Sequence, residues 1–328
     1  MMDAPSTTDF DAQWRQLVFP ADYSNPPPAA RYHLCVIGAG PAGLVTSIAA
    51  AGLGAKVALI ERQAMGGDCL NVGCVPSKAL LEFTRRNQGR EYFGRAFDWL
   101  RKVRADIAHH DSVERYAGAG IDVFLGEAAF RDSNSVTVDG NAIHARRFVI
   151  ATGARAGQPP IPGLADAGAL TNESVFELTS QPDSLAIIGA GAIGCELALV
   201  FARLGTTVDL IEIAPRILQT EHPEASALVE SSLRQAGVRL HTGVTISEVR
   251  RESDAQVTIE LADGGVRAEK LLVAAGRRAN TEGLNLQAAG VELTDRGLIA
   301  VDDRLRTTNR RIFAAGDVCS PLQFTHHA

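Results

Sequence analysis

Two cysteines, Cys69 and Cys74, lie in a segment that reads Gly66-Gly67-Asp68-Cys69-Leu70-Asn71-Val72-Gly73-Cys74-Val75-Pro76-Ser77-Lys78. The second cysteine precedes residues that favour a helix, because Pro76 suits a first helical turn and Lys78 begins a run of helix formers. A thiol at the positive end of a helix dipole and near a lysine has a lowered pKa, since both stabilise the thiolate. The segment therefore predicts a redox-active cysteine pair.

A metal site or a structural disulfide would also use a close cysteine pair. Structural zinc sites usually take four ligands from two C-x-x-C pairs, and only Cys69 and Cys74 of the five cysteines cluster in the sequence. Redox chemistry is therefore favoured, and no metal is predicted. The other three are predicted to have packing roles, and they are Cys35, Cys195 and Cys319.

One strand–turn–helix–strand pattern occurs twice in the chain, and its first copy runs directly into the cysteine segment. The two glycine turns read Gly38-Ala39-Gly40-Pro41-Ala42-Gly43 and Gly189-Ala190-Gly191-Ala192-Ile193-Gly194. Each turn follows an apolar run, and Glu61 follows the first turn at the same spacing as Glu212 follows the second. Such glycines permit a tight turn, close approach of a pyrophosphate and helix packing, and such an acid binds ribose hydroxyls. Two dinucleotide sites are therefore predicted, with the phosphates held at helix N-termini.

Two dinucleotide sites beside a cysteine pair indicate an electron relay that joins a nicotinamide, a flavin and a disulfide. The first site is predicted to bind the flavin, because it leads into the cysteines, and the second to bind the nicotinamide nucleotide. Glu212 is followed by Ile213 rather than by a basic residue, which favours NAD(H) over NADP(H). Arg216 lies near enough in the sequence to keep NADP(H) open as the alternative.

Composition limits the class of protein further. The 328 residues suffice for about two domains, and 46% of them are apolar. A formal net charge of −6 gives no electrostatic signal for nucleic acid or an anionic membrane as a partner. The nearly uncharged run from Leu34 to Ile60 has its glycines in strand–turn–helix order, so a βαβ unit is predicted there rather than a transmembrane helix. Because the chain lacks a signal-peptide pattern and has an odd number of cysteines, we expect a cytoplasmic location.

These motifs resemble those of the class I pyridine nucleotide–disulfide oxidoreductases, which include mercuric reductase, dihydrolipoyl dehydrogenase and glutathione reductase. The resemblance covers roughly residues 31–328. It also rests on three shorter motifs, Ala151-Thr152-Gly153, Gly276-Arg277-Arg278-Ala279-Asn280 and the run from Thr307 to Asp317. The implied fold class is α/β, with two doubly wound, Rossmann-like dinucleotide-binding domains and the NAD domain inserted in the FAD domain.

The expected domain boundaries follow from the same motifs. Residues 1–30 are predicted to be a flexible extension, residues 31–155 with 278–320 the FAD domain, residues 156–277 the NAD(P) domain, and residues 321–328 the start of a further region. Family members continue for about another domain of 100 or more residues, which forms their dimer interface. The resemblance therefore implies that a full-length form is a homodimer.

Alternating sequence patterns predict antiparallel strands in both domains. In the first domain these are Val123–Leu125, Val136–Val138 and Arg147–Ile150, and in the second domain the corresponding strand is Val257–Leu261.

The resemblance also implies a role for each site residue. Cys69 would exchange electrons with substrate and Cys74 would face the flavin, while Lys78 would lie beside flavin N5 and pair with Glu196. These four are the predicted catalytic residues, and Asp317 would bind the ribityl chain. The predicted cofactor-binding residues are Gly38, Gly40, Pro41, Ala42, Gly43, Glu61, Arg62, Gly67, Asp68, Cys69, Cys74, Lys78, Ala151, Thr152, Gly153, Gly189, Gly191, Ala192, Ile193, Gly194, Glu212, Gly276, Arg277, Gly316 and Asp317.

The implied activity is that of an FAD-dependent NAD(P)H oxidoreductase that reduces the Cys69–Cys74 disulfide and relays the electrons to a small-molecule disulfide/dithiol couple or to mercuric ion. A mercuric reductase-like function is favoured by Gly66-Gly67-Asp68-Cys69 and by Gln323-Phe324-Thr325-His326. Dihydrolipoyl dehydrogenase is an alternative, because Cys-Leu-Asn-Val-Gly-Cys is common in that group. Two others stay open, namely a flavin-dependent NADH oxidase or quinone reductase that does not use the cysteines, and a catalytically impaired nucleotide-binding redox module.

Overall fold

The structure is a computed structural model that describes residues 7–253, 256–262 and 264–322. The described chain divides into two units. The first unit contains residues 7–71, 102–155 and 278–322, and the second contains residues 72–101 and 156–277 apart from the gaps. Residues 323–328, including His326 and His327, lie outside the described residues, as do residues 1–6 of the extension.

The helices and strands follow the order that the sequence pattern predicts, with an α/β alternation in each unit. The helices are α1 (Thr7–Val18), α2 (Pro41–Gly52), α3 (Gly67–Asn71), α4 (Cys74–Thr84), α5 (Phe93–Ala108), α6 (Val113–Gly118), α7 (Ala192–Arg203) and α8 (Pro223–Gln235). The strands are β1 (Tyr32–Ile37), β2 (Val57–Glu61), β3 (Asp122–Leu125), β4 (Ala129–Asp132), β5 (Ser135–Val138), β6 (Asn141–Ile150), β7 (Ala154–Ala156), β8 (Ser184–Ile188), β9 (Thr207–Glu212), β10 (Arg239–Thr242), β11 (Ile246–Ser253), β12 (Gln256–Leu261), β13 (Gly264–Ala268), β14 (Lys270–Val273), β15 (Arg277–Ala279) and β16 (Ile312–Ala314).

Short 3-10 helices complete the described secondary structure. They are Arg90–Tyr92, His109–Asp111, Leu164–Asp166, Val175–Glu177, Leu286–Ala289 and Gly316–Val318. No helix of the described residues is long and apolar enough to cross a membrane.

The first unit is built on a seven-stranded sheet in the order β3-β2-β1-β6-β5-β4, with β16 also paired to β6. Strands β3, β2, β1 and β16 and the C-terminal part of β6 run parallel, as a doubly wound sheet requires. The parallel strands β1 and β2 are apolar runs with little exposed surface, because layers cover both faces of such a sheet. This layering confirms the predicted α/β fold with parallel sheets.

The prediction of antiparallel strands is wrong for two of the three segments in this unit. Val123–Leu125 belongs to β3, which pairs parallel with β2, and Arg147–Ile150 pairs parallel with β1. The N-terminal part of β6 and strands β5 and β4 do pair antiparallel, which agrees with the prediction for Val136–Val138. The error arises because an alternating pattern shows which side chains are buried but not the direction of the neighbouring strand.

Residues 7–30, for which a flexible extension is predicted, include helix α1 and several contacts with the rest of the first unit. Helix α1 places Val18 against the first unit with only 1% of its surface exposed. Further along, the Tyr23 hydroxyl donates to Val123 O at 2.8 Å. The Asn25 amide pairs with the backbone of Leu125, accepting from its N at 2.7 Å and donating to its O at 2.9 Å. These contacts cover the edge strand β3, whose backbone groups would otherwise lack partners along that edge.

The second unit contains a four-stranded parallel sheet in the order β10-β9-β8-β14 and a three-stranded antiparallel sheet in the order β11-β12-β13. Its apolar core joins the two sheets through the side chains of Ile188, Ile211, Val249, Ile259 and Leu271, each at most 3% exposed. The antiparallel pairing of β12 confirms the prediction for Val257–Leu261. Strands β7 and β15, where the chain passes between the units, form a separate two-stranded sheet.

Candidate active site

The first glycine turn connects β1 to α2 in the first unit. Gly38 has φ +104°, and a Cβ atom there would lie 2.3 Å from the carbonyl oxygen of Ala151. Gly43 lies one turn into α2, where a Cβ atom would lie 1.8 Å from the oxygen of Gly38. Helix α2 begins at Pro41 without a side-chain cap, so its first N–H groups are available to a ligand. The backbone of this turn thus has the close packing and the open helix N-terminus that a bound pyrophosphate requires.

Glu61 lies at the end of β2 and is 9% exposed. Its carboxylate accepts hydrogen bonds from Ala39 N at 2.7 Å and from Gln63 N at 2.8 Å. Burial raises the pKa of Glu61 above its usual value, and the backbone donors partly oppose that rise. The side chain lines a cleft of the first unit together with Gly38, Arg62 and Thr152, which places an acid beside the glycine turn as the sequence predicts.

The second glycine turn, between β8 and α7 of the second unit, has the same geometry. Gly189 has φ +101°, and a Cβ atom on Gly194 would lie 1.9 Å from the oxygen of Gly189. Glu212 at the end of β9 accepts from Ala190 N at 2.7 Å and from Ala214 N at 2.9 Å. Helix α7 begins at Ala192 without a side-chain cap. Each unit therefore has its own dinucleotide cradle, and the residues of both fit the predicted ligands.

Cys69 is a half-buried residue of the short helix α3 in the first unit. The residues just before it are held on the first glycine turn, where Gly66 N donates to Ala39 O at 2.8 Å. Gly67 has φ +56°, and a Cβ atom there would lie 2.6 Å from the Cα atom of Gly40. Only glycine allows this approach, so the helix that carries Cys69 begins in contact with the first nucleotide cradle.

Cys74 is half-buried at the first position of α4, which belongs to the second unit. The helix begins where the sequence predicts, with Pro76 in its first turn, and its dipole favours a negative charge at Cys74. One turn later, Lys78 Nζ lies 2.6 Å from Glu196 Oε1 of helix α7. The resemblance implies this contact, although the roles of the two residues stay predictions. An exposed pair such as this adds little to stability.

The other predicted cofactor-binding segments are tied to the backbone around the two cradles. In the first unit, Thr152 and Asn280 exchange hydrogen bonds, with Thr152 Oγ1 donating to Asn280 O at 2.7 Å and Asn280 Nδ2 donating to Thr152 O at 2.9 Å. Gly316 is buried with φ +79° in the 3-10 helix that contains Asp317. In the second unit, Gly276 accepts a hydrogen bond from Gly157 N at 3.0 Å.

Sequence reasoning missed two kinds of site residue. Asn280 and Asn71 make their contacts through side-chain amides, and each lies inside a quoted motif without having been assigned a role. Ala39 and Ala190 contribute backbone N–H groups to the acids, and no residue type indicates such a role. An asparagine inside an otherwise apolar or glycine-rich motif is the sequence signal that would have identified Asn71 and Asn280.

The other three cysteines have thiols that are expected to react slowly near neutral pH. Burial raises the pKa of Cys35, raises that of Cys195 to about 12 and raises that of Cys319 to about 11. These thiols therefore stay protonated near neutral pH, which agrees with packing roles. No group of three or more histidine, cysteine or acidic side chains that could hold a metal lies within the described part of the chain.

The fold and the two cradles define the class: an α/β protein with two Rossmann-like units of the FAD/NAD-binding type. The sequence model of the pyridine nucleotide-disulphide oxidoreductases matches residues 32–328. The chain belongs to that family.

Several similar proteins are enzymes with a named activity. A mercuric reductase of Bacillus cereus is 40% identical over 314 residues, which are 90% of this chain and 50% of that protein. A dihydrolipoyl dehydrogenase of Thermus scotoductus is 36% identical over 321 residues, which are 90% of this chain and 68% of that protein. The chain thus spans about half the length of the first of these relatives.

Solved structures show the same fold. The Cu(II) complex of the HOCl-induced flavoprotein disulfide reductase RclA from Escherichia coli superposes with a TM-score of 0.82 at 32% identity. The superposition covers 90% of this chain and 68% of that one.

Proposed function

We propose that this chain is the FAD- and NAD(P)H-binding part of an oxidoreductase that exchanges electrons through Cys69 and Cys74 with a small-molecule disulfide/dithiol couple or passes them to mercuric ion. The observation that carries the proposal is the contact of Gly67 with Gly40, because it joins the helix of Cys69 to a nucleotide cradle. A structural disulfide or a metal site would not need that contact. The names of the relatives, two kinds of flavin–disulfide enzyme, support the same chemistry.

The residues of the first unit fit FAD, whose isoalloxazine ring would take hydride from the nicotinamide and pass electrons to the disulfide. The open N-terminus of α2 would hold the pyrophosphate, and Glu61 would accept hydrogen bonds from the adenosine ribose. Asp317 would orient the ribityl chain. Lys78, fixed by Glu196, would place a positive charge where reduction develops negative charge.

Cys69 and Cys74 would have different roles in the thiol–disulfide exchange. Cys74 lies at the positive end of α4, which would stabilise its thiolate once the disulfide has been reduced. Cys69, on α3, is the thiolate that attacks a disulfide substrate or binds a soft metal ion. Attack on a substrate disulfide forms a mixed disulfide between Cys69 and one substrate sulfur and releases the other sulfur as a thiolate. Cys74 then attacks Cys69, which restores the protein disulfide and releases the second substrate thiolate.

The second unit supports NAD(H) over NADP(H). Glu212, whose carboxylate accepts from two backbone donors, would lie at the ribose, and a negative charge there opposes a 2′-phosphate. Arg216, a nearby candidate for phosphate binding, donates instead to the carbonyl oxygens of Leu218, Gln219 and Glu221 at 2.8–2.9 Å. We expect kcat/KM for NADH to exceed that for NADPH.

Mercuric ion is the acceptor that we favour, because mercuric reductases of several organisms match the chain at 35–40% identity. Dihydrolipoyl dehydrogenases match at 34–36% identity, so a dithiol substrate is the second candidate. Turnover of mercuric ion and of lipoamide by the full-length protein separates the two. The homodimer implied for a full-length form also stays a prediction, and light scattering on that form would measure it.

Cysteine variants test the relay itself. NADH added anaerobically to the unchanged protein with bound FAD should produce the long-wavelength absorption of a thiolate beside the flavin. Cys74→Ser should lose this band, whereas Cys69→Ser should keep the band and lose acceptor turnover. Cys319→Ser is the matched control and should change neither, because burial keeps that thiol protonated.

Two outcomes would contradict the proposal. Unchanged acceptor turnover in the Cys69→Ser/Cys74→Ser double variant would show that electrons bypass the cysteines, as in an NADH oxidase or a quinone reductase. Tight binding of both nucleotides without flavin reduction by NADH would indicate a redox module rather than an enzyme.

A further inference from the structure

Asn71 ends helix α3, two residues after Cys69, and its side chain is 7% exposed. Its amide nitrogen donates to Gly67 O at 2.8 Å and to Met65 O at 3.1 Å. Its amide oxygen accepts a hydrogen bond from Trp14 Nε1 of helix α1 at 2.8 Å. The Asn71 side chain therefore ties both ends of α3 together and ties the helix to α1.

Arg104 of helix α5 supports the same connection. It is fully buried, and its guanidinium donates to Asn71 O at 3.3 Å and to Asp11 Oδ1 of α1 at 2.9 Å. Its central carbon lies 4.0 Å from the centre of the Trp14 ring. A buried guanidinium is stable only with an opposite charge or an aromatic face beside it, and α1 supplies both.

Helix α3 depends on these contacts because it has only five residues. A helix of one turn does not form alone in water, so tertiary contacts determine its geometry. On its N-terminal side, Met65 N also donates to Val18 O of α1 at 3.0 Å. Helix α1 thus contacts the segment before Cys69 through Met65 and the segment after it through Asn71. Helix α1 lies before residue 32, where the family match begins.

We propose that α1 is a positioning element for Cys69, with Trp14, Asp11 and Arg104 holding α3 in the geometry that thiol–disulfide exchange or metal binding requires. The inference rests on the proposed function in that it takes Cys69 as the thiol that meets the substrate. None of the three positioning residues needs to touch substrate or cofactor. Their effect passes through Asn71 to the short helix.

Trp14→Phe tests this inference, since it removes the indole N–H and keeps an aromatic ring over Arg104. Trp99→Phe is the matched control, because Trp99 is the other tryptophan and is 41% exposed on α5. The reduced proteins are labelled with iodoacetamide at neutral pH, and mass spectrometry gives the rate at each cysteine. We expect labelling of Cys69 to be about five- to tenfold faster in Trp14→Phe, because loss of one hydrogen bond raises the open population of α3 by that factor.

Cys74 provides an internal reference because it lies on α4 rather than α3, and its labelling rate should not change. Asp11→Asn is the second variant, which removes the charge partner of Arg104 and should give the same selective increase even if Trp14→Phe folds poorly. Equal Cys69 rates in Trp14→Phe, Asp11→Asn and Trp99→Phe would overturn the proposal. A uniform acceleration at all cysteines would overturn it as well, because it would indicate a general loss of stability.

A second readout separates this inference from the proposed function. In the protein with bound FAD, Trp14→Phe should slow acceptor turnover severalfold while reduction of the flavin by NADH keeps its rate. If the unchanged protein reduces no acceptor, the proposed function fails, whereas the labelling rates still decide whether α1 positions Cys69.

Discussion

Replacing Gly43 by alanine should disrupt the first nucleotide cradle, whereas replacing Gly52 on the same helix should not. Both glycines belong to α2 and neither has a positive φ, so the two substitutions differ chiefly in the space around the new methyl group. A Cβ atom on Gly43 would lie 1.8 Å from Gly38 O, and a Cβ atom on Gly52 would have no neighbour within 4 Å. The pair therefore isolates the close packing of helix and turn.

The expected magnitude follows from the backbone that surrounds the clash. To restore a normal contact, α2 and the turn must separate by roughly 1.5 Å, and the oxygen of Gly38 cannot rotate away as a side chain could. Gly38 is itself held by Ile60 O, which accepts from its N–H at 2.8 Å. We expect a loss of about 3 kcal/mol, the upper end for overpacking, which is about a 100-fold loss in FAD affinity if the cost falls on the bound state. Gly52→Ala should instead add about 0.5 kcal/mol through the smaller entropy of the unfolded chain.

The assay compares FAD retained after gel filtration and the melting temperature of each variant. Gly43→Ala should lose most of its FAD and melt about 6–12 °C lower, while Gly52→Ala should keep its FAD and melt about 1–2 °C higher. Gly194→Ala extends the test to the second unit, where the new Cβ atom would lie 1.9 Å from Gly189 O. This variant should bind NADH more weakly and retain its FAD. Full FAD retention and an unchanged melting temperature in Gly43→Ala would refute the reasoning, because the turn would then tolerate a side chain.

Two further predictions concern charge. Arg216→Ala should remove about 1–2 kcal/mol of stability, because three carbonyl oxygens lose their donor. The variant should still prefer NADH over NADPH. A selective loss of activity with NADPH would instead show that Arg216 binds the 2′-phosphate. In the Cys69→Ser/Cys74→Ser variant, the rate of Cys319 labelling should stay low up to about pH 9 and rise as the pH approaches the raised pKa of about 11, because only the thiolate reacts. Fast labelling at pH 8 would contradict the burial of that thiol.

Local sequence rules succeed wherever one short segment contains all the determinants. The start of α4 at Cys74 follows from Pro76 and the helix formers after it, and the structure agrees. The two glycine turns also follow, because each needs a residue type that few other structures require at that spacing. The position of Glu61 and Glu212 beside these turns could be predicted for the same reason.

Strand direction and the role of the N-terminus could not be predicted, because partners distant in the sequence decide both. Val123–Leu125 is compatible with either direction until β2 lies beside it. Trp14 and Asp11 look like ordinary residues of a polar segment until Arg104 is buried against them. Burying that guanidinium without a partner would be costly, and no local sequence pattern shows that Arg104 and α1 meet.

The chain by itself therefore determined the chemistry: two nucleotide cradles with acids at equal spacing and a cysteine pair that follows the first cradle. Glycine spacing, strand ends and a helix start are local properties, so the residue order carries them. Tertiary structure alone decided that Gly67 packs on Gly40 and that α1 holds the helix of Cys69. These contacts join residues far apart in the sequence, and close packing and buried charge select them only when the chain is folded.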